Sequence, residues 1–227
     1  MRGKILLILL LTLASQAFCQ HGDGDVGDPG APPRVLIGRY LKEGHWRRAE
    51  GLIRQEMVRD SSDYYKKLLC WTMIEQAGQL IEKNKENATA QFKEAEHMLH
   101  DIMLRDSNDE GVYWYLAMSA SKQDQGERAL GLYKRYIQKA RYRASKLPGT
   151  EVENPKAWLH MGAVFRRKMH DKGINDQEWI EMVYDFEVYL RMNPDDPYAF
   201  NLQDFLDHVR LKRPEPNGVL VWDEKNR

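Results

Sequence analysis

The apolar positions of this chain recur with helical spacing. Tyr113, Leu116, Ala117 and Ala120 fall at offsets of three and four residues; a polar break follows at Gln125-Gly126, and Ala129, Tyr133 and Tyr136 resume the pattern beyond it. Such spacing places large and small side chains on one face of each of two helices. Small residues at Ala117, Ala120 and Ala129 let the two backbones approach closely. The segment therefore predicts a tightly packed helical hairpin.

The same pattern extends in both directions. Leu36, Ile37 and Tyr40, then Ala49 and Ile53 after a break at Glu43-Gly44, predict a first hairpin with a less regular pattern. A second has a long first helix, roughly 61–83, carrying Leu69, Cys70 and Met73. Its polar stretch Asn84–Thr89 reads as the turn, and Ala95, Leu99 and Ile102 lie on the return helix. The third hairpin overruns toward Ser145 and breaks at Leu147-Pro148-Gly149. Pro155 then suits the first turn of another helix. The fourth hairpin shows Trp158, Met161, Gly162 and Phe165, then Phe186, Tyr189 and a closing Pro194, with a polar excursion expected around Lys168–Gln177. Met182 occupies a position where a small residue is expected, which predicts looser or shifted packing. A last helix over about Tyr198–Leu211 offers Phe200, Leu202, Phe205 and Val209 on one side, as a cap over an exposed apolar face requires.

Ala95 and Ala129 are 34 residues apart, the period of the tetratricopeptide repeat. With the pattern of Tyr113–Tyr136 and of Trp158–Pro194, residues 33–211 resemble that family. Ala49 and Ala95 are 46 apart, so about a dozen residues are inserted relative to the period. The resemblance implies an all-α fold, a right-handed α-solenoid of about four hairpins plus a C-terminal capping helix. It also implies a non-enzymatic adaptor that holds a protein or peptide in a concave groove lined by the first helix of each hairpin. On that reading the groove residues are Tyr64, Lys67 and Trp71, then Trp114, Tyr115, Met118 and Lys122, then Lys156, His160 and Arg167. Aromatic anchors flanked by cations suit a peptide with apolar and acidic groups; packing and solvation of a charged face are the competing explanation. One subfamily clamps a C-terminal carboxylate with Lys, Asn, Asn, Lys and Arg. Lys67 and Lys156 match, but Trp71, Tyr115 and His160 do not, so this clamp is not expected here.

The flanking sequence predicts export. Arg2 and Lys4 precede the apolar run Ile5–Leu13, and Ala14-Ser15-Gln16-Ala17 supplies small residues for cleavage, the layout of a signal peptide over residues 1–19. The run is short for a membrane-spanning helix, so no transmembrane segment is expected in the mature chain, and a periplasmic or secreted location is. Cys19 fits lipid attachment poorly, because Phe18 occupies a position that wants a small residue. Residues 20–33 are rich in Gly, Asp and Pro and read as a flexible linker, followed by the repeat domain over 34–211. The C-terminal tail, 212–227, carries Gly218-Val-Leu-Val-Trp222, which either folds back on the helices or stays as a docking strand; fold-back is the favoured alternative. A structural subunit docking by its convex face or by this tail is the second functional reading.

Charge and chemistry narrow the choice. Lys plus Arg and Asp plus Glu both number 34, so no basic excess points to nucleic acid. Asp23-Gly-Asp25-Val-Gly-Asp28 lacks the remaining ligands of a calcium loop. His97 and His100 lie three apart on one helix, but no third ligand has recognisable spacing. Cys70, in Leu68-Leu69-Cys70-Trp71, reads as a buried structural thiol. Neither a nucleophile on a tight glycine turn nor a phosphate-binding glycine loop is present, so no cofactor or metal is expected and a hydrolase or metal protein is the least favoured reading. Asn87-Ala88-Thr89 matches a glycosylation acceptor in the expected turn.

Overall fold

The computed structural model describes residues 31–147 and 153–212. The expected signal peptide, Cys19, the calcium-loop fragment, nearly all of the linker, the core of the Leu147-Pro148-Gly149 break and the Gly218–Trp222 run lie outside them. Among the described residues the protein is all-helical, with nine helices in sequence: α1 (Pro33–Glu43), α2 (Trp46–Arg59), α3 (Asp63–Leu80), α4 (Lys85–Arg105), α5 (Glu110–Lys122), α6 (Gly126–Lys146), α7 (Lys156–Asp171), α8 (Asp176–Met192) and α9 (Ala199–Lys212). The chain divides after Ile102 into two compact units.

In the first unit, α2 packs against both α1 and α3. Proline in the first turn opens α1, and Gly44 closes it in the left-handed region at φ 75°, where the lack of a Cβ removes the steric cost. There the His45 N–H donates to the Tyr40 carbonyl at 2.8 Å. Ile37, Leu41, Ala49 and Ile53 are buried, whereas Leu36 and Tyr40 are only half-buried. Helix α3 buries two faces, Tyr65, Leu69 and Met73 on one and Cys70, Ile74 and Ala77 on the other, as a helix between two neighbours must. The Cys70 thiol meets the Ala95 carbonyl of α4 at 3.5 Å. Burial pushes its pKa up to about 12.

The expected turn at Asn84–Thr89 is shorter than the sequence suggests. Asn84 caps α4, its side-chain oxygen accepting the Asn87 N–H at 3.1 Å, an N-cap arrangement. Ala88 and Phe92 are buried on the inner face. The glycosylation triplet is thus in the first turn of a helix, with its middle residue packed inward.

The second unit holds α5 through α9, with contacts between α5 and α6, α6 and α7, α7 and α8, and α8 and α9. Ala117, Ala120 and Ala129 are fully buried where α5 meets α6. The turn between them reverses at Asp124, φ 60°, and the Gln125 N–H bonds to the Ala120 carbonyl at 2.9 Å. Trp158, Met161, Phe165, Phe186 and Tyr189 are all in the core. The polar excursion at Lys168–Gln177 is mostly helix: α7 runs on to Asp171, Gly173 turns the chain at φ 80°, and α8 opens with a capping box between Asn175 and Glu178. Charged side chains on exposed helical faces had disguised the continuation. Met182 is fully buried, and the close approach moves to Gly162, where a Cβ would lie 2.6 Å from the Phe186 ring. On α9 the inner stripe is Leu202, Leu206 and Val209; Phe200 is 81% exposed. The two-residue step from Phe200 to Leu202 turns a helix through about 200°, which carries Phe200 away from the core.

Gly162→Ala is expected to destabilise the protein by about 1–3 kcal/mol, because the buried Phe186 ring must shift. Gly131→Ala, in a helix where nothing lies within 4 Å of the new methyl, is expected to stabilise by about 0.5–1 kcal/mol. Denaturant titrations followed by helical circular dichroism measure both. Equal responses would refute a steric role for Gly162.

Candidate functional site

The groove residues expected on α3 form one stripe in the first unit, at offsets of three and four residues. Tyr64 is 52% exposed and meets Tyr65 edge-on at 5.2 Å. The Arg34 guanidinium lies 5.6 Å from both tyrosine rings and donates to the Tyr65 hydroxyl at 3.0 Å. Lys67 is half-buried among contacts of its own. Trp71 packs on Trp46 at 5.9 Å, so its ring joins α2 to α3 as well as facing outward.

The second unit carries the denser cluster. Trp114 on α5 and His160 on α7 meet at 5.8 Å, ring edge to ring face. Beneath them, α6 contributes two buried tyrosines. His160 stacks on Tyr133 at 5.6 Å with an interplanar angle of 13°, and Trp114 packs against Tyr133 at 5.7 Å and Tyr136 at 5.2 Å. These separations fall in the favourable range for aromatic pairs. Tyr133 and Tyr136 were legible as packing residues, but their role as the floor of this cluster was not.

Electrostatics mark the same spot. Burial lowers the His160 pKa to about 4, and the positive charges of Lys122 and Lys156 add to the shift. The imidazole is therefore neutral at physiological pH, with two ammonium groups supplying a positive field around it. Lys156 is exposed, and Lys122 is half-buried with contacts of its own. Tyr115 and Met118 on α5 are half-buried. Arg167, seven residues past His160, is drawn to Asp124 at 3.0 Å. The structure thus brings Trp114 and His160 together, with Lys122 and Lys156 near enough to act on the imidazole, and sets Arg167 in a separate ion pair.

The entry to α7 is held firmly. Glu153 is buried and takes two bonds from Arg141, Nη2 to Oε1 at 2.7 Å and Nε to Oε2 at 3.1 Å. It also accepts from Trp158 Nε1 at 3.3 Å. The Asn154 N–H donates to the Tyr136 hydroxyl at 2.7 Å. These bonds tie the start of α7 to α6 and so help set the position of His160 over Tyr133.

The arrangement offers flat apolar faces, one neutral imidazole and two cations, which suit recognition of an apolar or aromatic side chain beside a carboxylate. Among the described residues, no group of three or more His, Cys, Asp or Glu is placed to hold a metal ion. His97 pairs with Asp101 at 3.5 Å on the exposed side of α4. No described helix is long and apolar enough to cross a membrane.

The His160 shift predicts a sign for pH dependence. A histidine whose folded pKa lies below its unfolded value favours folding fully above about pH 6.5, where both states are neutral. As pH falls from 6.5 toward 4 the unfolded chain takes the proton first, and this contribution is lost. His160→Gln is expected to flatten that part of the stability–pH curve, measured by denaturation at a series of pH values; an unchanged slope would show that His160 does not titrate in this window.

Comparison of the chain with protein-family models, with curated proteins and with solved structures finds no match in any of the three.

Proposed function

We propose that this protein is a non-enzymatic binding adaptor built from tetratricopeptide-type hairpins, which holds a segment of a partner protein against the Trp114–His160 cluster. The observation that carries this reading is the stacking of Trp114, His160 and Tyr133, with Lys122 and Lys156 near enough to act on the imidazole. Its recognition chemistry is an apolar or aromatic side chain laid on the rings and an acidic group paired with the lysines. The partner is therefore an acidic segment with at least one large apolar residue. Half-buried aromatics contribute most where water is excluded around them, and the exposed Lys156 contributes mainly to rate and selectivity.

Tyr64, Lys67 and Trp71 on α3 form another aromatic and cationic surface, within the first unit, suited to the same class of segment. The leader-like pattern in residues 1–19 supports export to a periplasmic or extracellular space, and an envelope-associated assembly is the setting proposed for the adaptor.

The test is retention of partners from a native envelope fraction by the wild-type chain, by Lys122→Glu plus Lys156→Glu, and by Trp114→Ala plus Lys156→Ala. Mass spectrometry identifies what is held, and a peptide from the retained protein gives the affinity. Either double variant is expected to weaken binding by about tenfold or more, the scale of losing a central anchor or a charge pair. The lysine pair tests the charges with the rings themselves unsubstituted, and circular dichroism checks that the half-buried Lys122 position keeps its fold. A partner held equally by all three proteins would refute this site.

A further inference from the structure

The exposed face of α6 carries charge that its neighbours leave unbalanced. From Arg128 to Lys146 the helix has seven Lys or Arg residues and no Asp or Glu. Three of them reach sideways to carboxylates: Lys134 to Glu181 at 3.0 Å, Arg141 to Glu153 at 2.7 Å and Arg143 to Glu110 at 2.8 Å. Between those flanks stand Arg135, Lys139 and Lys146, and no carboxylate pairs with them among the described residues. Lys139 donates to the Asn108 side-chain oxygen at 2.8 Å. The Lys146 ammonium lies 5.6 Å from the centre of the Tyr142 ring, and Arg135 makes no ion pair or hydrogen bond among the described residues. Arg135 and Lys139 are four apart, a spacing at which like charges repel.

The three cations share one line. Arg135 and Lys146 are eleven residues apart, three helical turns and about 20°, or roughly 16 Å along the axis. Lys139 and Tyr142 fall on the same side, all four within about 60°. Tyr142 is 56% exposed, and Leu147 just beyond it 55%. The rest of the exposed face is Gly131, Gln138 and Ser145, which offer no aliphatic ridge for a partner helix to pack on. Tyr133 and Tyr142 are nine residues apart, so this face points about 180° away from the floor of the Trp114–His160 cluster.

We propose that this face of α6 docks on an anionic lipid bilayer, with Arg135, Lys139 and Lys146 against the headgroup phosphates and the Tyr142 ring in the headgroup layer. A negative surface potential attracts each cation and multiplies binding about fivefold per residue, and a tyrosine suits the interface between water and hydrocarbon. Nothing on the face is apolar enough to insert deeper. The attachment is therefore peripheral and weakens as salt is raised. It leaves the Trp114–His160 cluster open, so it does not depend on what that cluster binds.

Lipid titration of the full chain tests the contact. Partition onto vesicles of about 30% phosphatidylglycerol in phosphatidylcholine is divided by partition onto phosphatidylcholine alone, so that attraction of the apolar run Ile5–Leu13 to any bilayer cancels. Arg135→Gln plus Lys139→Gln plus Lys146→Gln is expected to lower this ratio about a hundredfold. Arg47→Gln plus Arg48→Gln plus Lys83→Gln removes three exposed cations elsewhere and is expected to leave the ratio nearly unchanged. Amine acylation read by mass spectrometry supplies a local measure. Lys139 and Lys146 are expected to be protected on the anionic vesicles and not on the neutral ones, while Lys83 stays reactive on both. Equal ratios for the two triple variants would overturn the proposal. So would equal reactivity of Lys139 and Lys146 on both kinds of vesicle, the result expected if an acidic protein were the occupant instead.

Discussion

Helices can share a core only as closely as the smallest residues between them permit, and this limit governs the second unit. Ala117, Ala120 and Ala129 bring α5 and α6 together, and Gly162 admits the face of Phe186 between α7 and α8. Larger residues there would move each helix outward by a fraction of an ångström, beyond what a densely packed interior absorbs. Everything on the outer face inherits that spacing. Trp114 meets His160 only because α6 is thin enough at its small positions, and aromatic enough at Tyr133 and Tyr136, to bridge the two helices.

The cluster on that face illustrates how a polar group is used without its charge. A protonated imidazole between two lysines would add a third cation to a half-buried patch, whereas a neutral one stacks on Tyr133 as a flat ring. The lysines then supply the field and the rings supply the area. An aromatic partner side chain can be laid on such a surface while its acidic neighbour is drawn to either ammonium.

Much of this was legible in the sequence. The apolar periodicity located every helix of the second unit, and the buried roles of Trp158, Met161, Phe165, Phe186 and Tyr189 followed from spacing. The errors have one physical origin, since a polar run does not distinguish a loop from a solvated helix face. Asn84–Thr89 looked like a turn because its only inward residue is Ala88, and Lys168–Gln177 looked like an excursion because most of its side chains are polar. Phe200 was placed with Leu202, Phe205 and Val209 on one side of the last helix, although Leu206 has the better helical phase with Leu202 and Val209. Trp114 and His160 could be placed on matching stripes of their helices. Their contact could not be read, because it depends on Tyr133 lying beneath both rings.

The bonds around Glu153 carry a consequence for how this protein can change. Arg141 and Trp158 hold that carboxylate from one side and the Tyr136 hydroxyl holds the next backbone amide, so α7 starts from a fixed point whatever precedes it. The seat of His160 therefore depends on residues that never touch it: a change at Arg141 or Glu153 shifts the start of α7, and with it the ring four residues beyond Lys156, as surely as a change at Tyr133 would.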